Sequence, residues 1–132
     1  SLFVNLQALI KREVNLGRAS FPKIIALSII PPDGFEMSTL ARKMGVDNST
    51  ATRLVIGMEK AGWVKRKSSS YDKRVNQVFL TKKGCSLQSN LEEQFELIGK
   101  VVEGSLNPAD KLGISDTISS LNWVLLKLIA EK

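Results

Sequence analysis

"VDNSTATRLVIGMEKAGWVKRK", residues Val46 to Lys67, is the stretch whose reading decides the fold. Ala51, Leu54, Val55 and Met58 recur at helical spacing and make one apolar stripe. At about 100° per residue, the opposite side carries Ser49, Arg53, Ile56 and Lys60, with Thr50 and Thr52 flanking them. A helix that only fills a core has no use for hydroxyls and an arginine gathered at the start of its outward face. A surface that meets a negatively charged partner does. Asp47 can cap this helix by accepting from its free N–H groups, and Gly62 ends it.

Upstream, Met37, Leu40, Ala41 and Met44 fall on one helical face, and Gly45-Val46-Asp47 makes a tight break. Helix, three-residue turn, helix is the sequence form of a helix-turn-helix. Its second helix presents base-reading chemistry: arginine pairs bidentately with guanine, and serine or threonine serves a base or a phosphate. Downstream, Trp63 to Lys67 and Asn76 to Leu80 read as two strands around a polar turn, "SSSYDKRV". A hairpin placed there is a wing, with Asp72, Lys73 and Arg74 at its tip. An arginine at such a tip can enter a narrow minor groove. Lys65, Arg66 and Lys67 alternate across a strand, so only some of them share a face.

On the N-terminal side, a helix is expected from Leu2 to Leu16, ended by Gly17. Ser20 and Pro22 open a buried helix through "KIIALSII", stopped by Pro31-Pro32-Asp33-Gly34, after which Phe35 falls in a very short strand. On the C-terminal side, Thr81 can cap a long helix with Leu87, Leu91, Phe95, Ile98 and Val102 along one side. Asn107-Pro108 is expected to open a last helix. Its Ile114, Ile118, Leu121, Leu125 and Leu128 form a heptad seam. A monomer this small has too little core to bury that seam and the first helix together, which predicts a dimer built from both chain ends. The fold expected is mainly α with a small β wing: a winged helix-turn-helix over 20–80, with dimerisation helices over 1–19 and 81–132.

Composition narrows the function. The 132 residues are 43% hydrophobic and 24% charged, as expected of a folded domain. Without histidine there is no ready general base near neutral pH, and one cysteine cannot make a cysteine-rich zinc site or an internal disulfide. No phosphate-binding glycine motif occurs. Neither an enzyme nor a metal or other cofactor is expected. The single cysteine suits a reducing, cytoplasmic setting. No apolar run is long enough to span a membrane, and "SLFVNLQALI" lacks the basic start of a signal peptide. The chain does not begin with Met, so upstream residues are expected. The net charge of +6 is concentrated: Met37 to Lys83 carries +8 and the remainder −2. That is the footprint of a surface meeting phosphates.

With "STLARKMGVDNSTATRLVIGMEKAGWVKRK" and "YDKRVNQVFLTKKG" in view, the sequence resembles the MarR family of bacterial winged helix-turn-helix regulators. The match lies in the Leu-Ala pair, the Gly-apolar-Asp turn, Ser-Thr-x-Thr-Arg, Glu-Lys-x-Gly, Asp-x-Arg and Leu-Thr-x-x-Gly, over about Ser20 to Gly84. The resemblance implies a homodimer on double-stranded DNA carrying an inverted repeat, with one recognition helix in each major groove and one wing in each minor groove. Carried over by position, Ser49, Thr50, Thr52 and Arg53 face bases and phosphates, Arg74 is the minor-groove arginine held by Asp72, and Ser38 meets a phosphate. Arg66, Lys67 and Lys73 complete the expected DNA surface. The family typically represses genes and releases DNA when a small phenolic or lipophilic ligand, or an oxidant, acts on the dimer. Ile56 and Gly57 stand where the family carries polar or charged residues. Glu36 replaces the usual hydroxyl cap, and Cys85 lies in the long helix, away from the family's sensing position.

Plainer roles stand beside these. Cys85 reads first as a small helix residue, although Lys82 and Lys83 could lower its pKa. Trp63 and Trp123 read first as packing residues. The rival to a DNA-binding regulator is a winged-helix protein–protein module, against which the basic central third weighs.

Overall fold

The computed structural model describes residues 1–68 and 76–130. Seven helices and three strands are described: α1 (Leu2–Glu13), α2 (Phe21–Ile29), β1 (Phe35–Glu36), α3 (Met37–Met44), α4 (Asn48–Lys60), β2 (Val64–Ser68), β3 (Asn76–Leu80), α5 (Lys82–Gly104), α6 (Pro108–Lys111) and α7 (Ile114–Ala130). The chain forms two compact units, Ser1–Phe95 and Glu96–Lys132, and the residues of α5 are shared between them.

In the first unit, α3 and α4 form the expected helix-turn-helix. Gly45 sits in the left-handed region at φ 69°. Its N–H donates to the Arg42 carbonyl (3.2 Å) and that of Val46 to the Ala41 carbonyl (3.0 Å), so two orphan carbonyls of α3 are satisfied within the turn. Three residues thus suffice to stop one helix and start the next.

The sheet is antiparallel in the order β1-β3-β2. Arg66 lies opposite Val78, and Phe35 faces Val78 from the other side. Period-2 alternation turns Val64, Val78 and Leu80 into the core, where they meet Leu27, Ile30, Leu40, Val55, Met58, Trp63 and Leu91. Full burial of such a side chain stabilises by roughly 1.5–3 kcal/mol, so this cluster is what holds α4 in place.

The "Leu-Thr-x-x-Gly" stretch has a mechanical reason. The Thr81 hydroxyl accepts from the Gly84 N–H (3.0 Å) and donates to the Gly62 carbonyl (2.6 Å). Gly84 is buried against the Trp63 carbonyl oxygen, which a Cβ there would overlap. Farther along α5, the Gln88 Nε2 donates to the carbonyls of Leu27 (2.8 Å) and Ile30 (2.6 Å). The Gln94 amide pairs both ways with the backbone of Asn15.

Three expectations need correction. The first helix ends at Glu13, short of Gly17, because Val14 is already extended and the next residue's backbone is held by Gln94. Asn107-Pro108 does open a helix, but only the four-residue α6: Leu112 turns extended and Gly113 takes φ 75°, so the heptad seam begins afresh in α7. Ser20 occupies the cap position of α2, yet its hydroxyl makes no capping bond.

In the second unit, α7 has no buried residue at all. Leu121, Trp123, Val124, Leu125, Leu126, Leu128 and Ile129 are each about half exposed or more. In the first unit, α1 likewise exposes Leu2, Phe3, Val4 and Leu6. Among the described residues, no helix is long and apolar enough to cross a membrane.

Candidate nucleic-acid interface

The site is built on α4, whose two sides differ as its sequence requires. Ala51, Val55 and Met58 are fully buried, whereas Ser49, Arg53 and Lys60 are exposed and Thr50, Thr52 and Ile56 are half-buried at the margins. The N-terminus of α4 is organised by Asp47. One of its carboxylate oxygens accepts from the Thr50 N–H (2.7 Å) and from the Ser49 hydroxyl (3.0 Å). Thr50, through its side chain and its N–H, holds the Asp47 carboxyl below the ordinary carboxylate value, helped by the Ser49 hydroxyl and the nearby Arg53 charge.

The other hydroxyls also have local partners. Thr52 Oγ1 donates to the Asn48 carbonyl (2.8 Å), and Ser38 Oγ lies 3.4 Å from the Glu36 carboxylate. Each keeps acceptor capacity, and donation to a phosphate requires only rotation about the C–O bond. Arg53 is different. Among the described residues its guanidinium, with five N–H donors, forms no ion pair.

The basic strand divides as alternation requires. Arg66, on the Val64 side of β2, reaches α4 and pairs with Glu59 at 3.0 Å. On the other side, Lys67 lies over the Phe79 ring, 5.6 Å from its centroid. Asp72, Lys73 and Arg74, expected at the wing tip, lie outside the described residues.

Two partners of α4 escaped the sequence reading. Lys83 Nζ donates to the Ala61 carbonyl (3.1 Å), closing the C-terminal end of α4 from across 22 residues of chain. The Glu59–Arg66 pair fastens the wing strand to the same helix. Its sequence signal was the placement of Arg66 two residues after the core-facing Val64. For Lys83 no local pattern exists, since the contact depends on how α5 packs. Trp63 is buried in the core and Trp123 is exposed under Lys127. Cys85 is a half-buried free thiol packed against the core. No group of metal-binding side chains occurs among the described residues.

This arrangement is shared with known proteins. Residues 33–75 match the model of the MarR family. The chain is 32% identical over 107 residues to the uncharacterized HTH-type transcriptional regulator YfiV of Bacillus subtilis strain 168, covering 80% of this chain and 67% of that one. Among solved structures, a MarR transcriptional regulator from Methanosarcina mazei Go1 superposes with a TM-score of 0.81 at 20% identity, over 96% of this chain and 92% of that one. Streptococcus pneumoniae FabT, solved in complex with DNA, gives a TM-score of 0.75 at 20% identity, over 96% of this chain and 93% of that one. The structural likenesses establish the winged-helix fold, and the sequence matches establish the lineage. The protein is a member of the MarR family of winged helix-turn-helix transcriptional regulators.

Proposed function

We propose that the protein is a cytoplasmic homodimer that binds an inverted-repeat site on double-stranded DNA and represses transcription there. In this reading α4 enters the major groove, and Ser49, Thr50, Thr52 and Arg53 contact base edges and phosphates. Ser38 meets a phosphate, Arg66 and Lys67 support the wing, and Arg74, flanked by Lys73 and oriented by Asp72, enters the minor groove. Residues 20–80 bind DNA, while 1–19 and 81–132 join the two subunits. A small phenolic or lipophilic effector relieves repression.

The observation that carries this reading is the two-sidedness of α4. A fully buried stripe fixes the helix, and an exposed arginine without a described ion-pair partner stands on its outer face, within the most basic part of the chain. That FabT was solved with DNA supports the same use of the shared fold. A surface for another protein would not call for this concentration of positive charge.

The test is selection of bound duplexes from a random pool at near-physiological salt. Enrichment of an inverted repeat, with half-site centres about one helical turn apart, supports a two-fold dimer reading the major groove. A folded dimeric protein that enriches no sequence overturns the specific-regulator reading.

A further inference from the structure

Gly57 is an odd residue for the middle of α4. Glycine is a poor helix former, and this one has no turn to make. Its surroundings supply a reason. A Cβ built on Gly57 would stand 3.0 Å from Cε and 3.2 Å from Nζ of Lys23, on α2. The end of the Lys23 side chain therefore lies directly over the backbone of α4, in space that any other residue at position 57 would take. Lys23 is half-buried, and among the described residues its ammonium has neither a carboxylate nor a hydrogen-bond acceptor.

The position on α4 says what such a cation could meet. Thr50 and Gly57 both lie to one side of Arg53, about 60° and about 40° around the helix from it. With a rise of about 1.5 Å per residue, Gly57 lies about 6 Å beyond Arg53 along the axis. An α-helix is about 10–12 Å across, and the major groove is about 12 Å wide. A helix lying in that groove with Arg53 toward the base edges has its flanks against the two phosphate walls. One flank carries Thr52 and Glu59, and Glu59 is paired with Arg66. The other has no side chain at position 57, and the ammonium of Lys23 fills that place.

Resting on the DNA-binding reading above, we infer that Lys23 is a phosphate-contacting residue delivered to the α4 surface by α2, and that Gly57 is glycine in order to admit it. Lys23 positions the recognition helix and adds affinity without reading sequence. Its charge lies outside the Met37-to-Lys83 stretch where the basic excess is concentrated.

The experiment measures binding to the duplex enriched by the wild-type protein, over a range of salt, for Lys23→Met, Gly57→Ala and the double variant. Lys23→Met keeps the length of the side chain and removes the charge. It should weaken binding about three- to tenfold and reduce the slope of log K against log salt by about 0.9, with the preferred sequence unchanged. Gly57→Ala should weaken binding while leaving thermal stability equal or higher, since alanine favours the helix and the flexible lysine end can move aside. On the Lys23→Met background, Gly57→Ala should have no further effect on binding. An unchanged salt slope in Lys23→Met overturns the role of Lys23. An equal loss from Gly57→Ala on both backgrounds overturns the link between the two residues. A wild-type protein that enriches no duplex overturns the DNA reading itself, and that failure is visible before any variant is made.

Discussion

Arg53 and Lys82 are both exposed cations on the basic part of the chain, and they separate two kinds of contact. Arg53 projects from the outward face of α4, where a guanidinium can reach a base edge. Lys82 opens α5, and in the proposed DNA complex a point charge there would serve a backbone phosphate and not a base edge. Arg53→Ala is therefore expected to relax or abolish site preference, with a loss of about 1–3 kcal/mol on the preferred duplex and little on others. Lys82→Ala should weaken all duplexes alike and lower the salt dependence. Titration of one specific and one scrambled duplex with each variant checks this, and equal, sequence-independent losses would remove the base-reading role of Arg53.

Asp47 makes a prediction about pH at the same scale. Its carboxyl lies below the ordinary value of 3.8 in the folded chain because Thr50 and Ser49 bond to its charged form. A lowered folded-state pKa means that the unfolded chain takes up the proton first. The contribution is complete above the unfolded value and disappears as pH falls through the folded one. Asp47→Asn keeps an N-cap acceptor and removes the titration. The wild-type melting temperature should exceed that of Asp47→Asn near neutrality, and the difference should shrink below about pH 4 as the wild-type carboxyl protonates. A constant offset down to the acid limit would show that Asp47 does not titrate with folding.

Among the elements, what could be read from sequence was whatever depends on neighbours in the chain. The apolar stripe of α4, the Gly45 turn, the two wing strands and the Asp47 cap are set by residues a few positions apart, and they stand as expected. The end of α1 and the break after α6 were misread. The first depends on the Gln94 amide, 79 residues from Asn15, and the second on two residues whose backbone takes an extended and then a left-handed conformation. The candidate site divides in the same way. Arg53 and the hydroxyls were visible from helical spacing, whereas Lys83 closing α4 and Lys23 lying over Gly57 arise only when distant segments pack. Arg66 shows how packing changes a role, since its pairing with Glu59 makes it a brace between β2 and α4. Both side chains are more than a third exposed or close to it, so Arg66→Ala should cost only about 0.2–1 kcal/mol in chemical denaturation. Gly84→Ala should be far more damaging. Its Cβ would overlap the Trp63 carbonyl, and backbone cannot step aside as a flexible side chain can. A loss of at least about 2 kcal/mol is expected, read by the same denaturation. A variant as stable as wild type would mean that α5 can shift relative to β2 without penalty.

For the whole molecule, the question is what covers α7. Leu121, Leu125 and Leu128 stand with Ile114 and Ile118 on one side, and Trp123 and Leu126 lie more than about 90° around the helix from that seam. Asp116, Ser120 and Lys127 make a polar arc away from that seam, and Ser115, Thr117, Ser119 and Asn122 add polar positions on either side of it. A helix with so long an apolar seam needs a packing partner, yet no residue of α7 is buried in the single chain. The proposed dimer resolves this, and it predicts that folding and association are linked. The melting temperature should rise with protein concentration, because a partner that binds only the folded chain stabilises it by mass action. Leu125→Lys places a charge in the seam, and should give a monomer or an unfolded chain in sedimentation. Ser120→Lys, on the polar arc, should leave the dimer intact. DNA binding should follow the same division. A monomer engages one half-site and loses the gain from joining two, so a folded Leu125→Lys protein should bind the full site about a hundredfold more weakly or worse, with half-site preference retained. A wild-type protein that sediments as a stable monomer at micromolar concentration, with a melting temperature independent of concentration, would refute the dimer. It would also require the apolar surface of α7 to serve a partner other than a second copy of this chain.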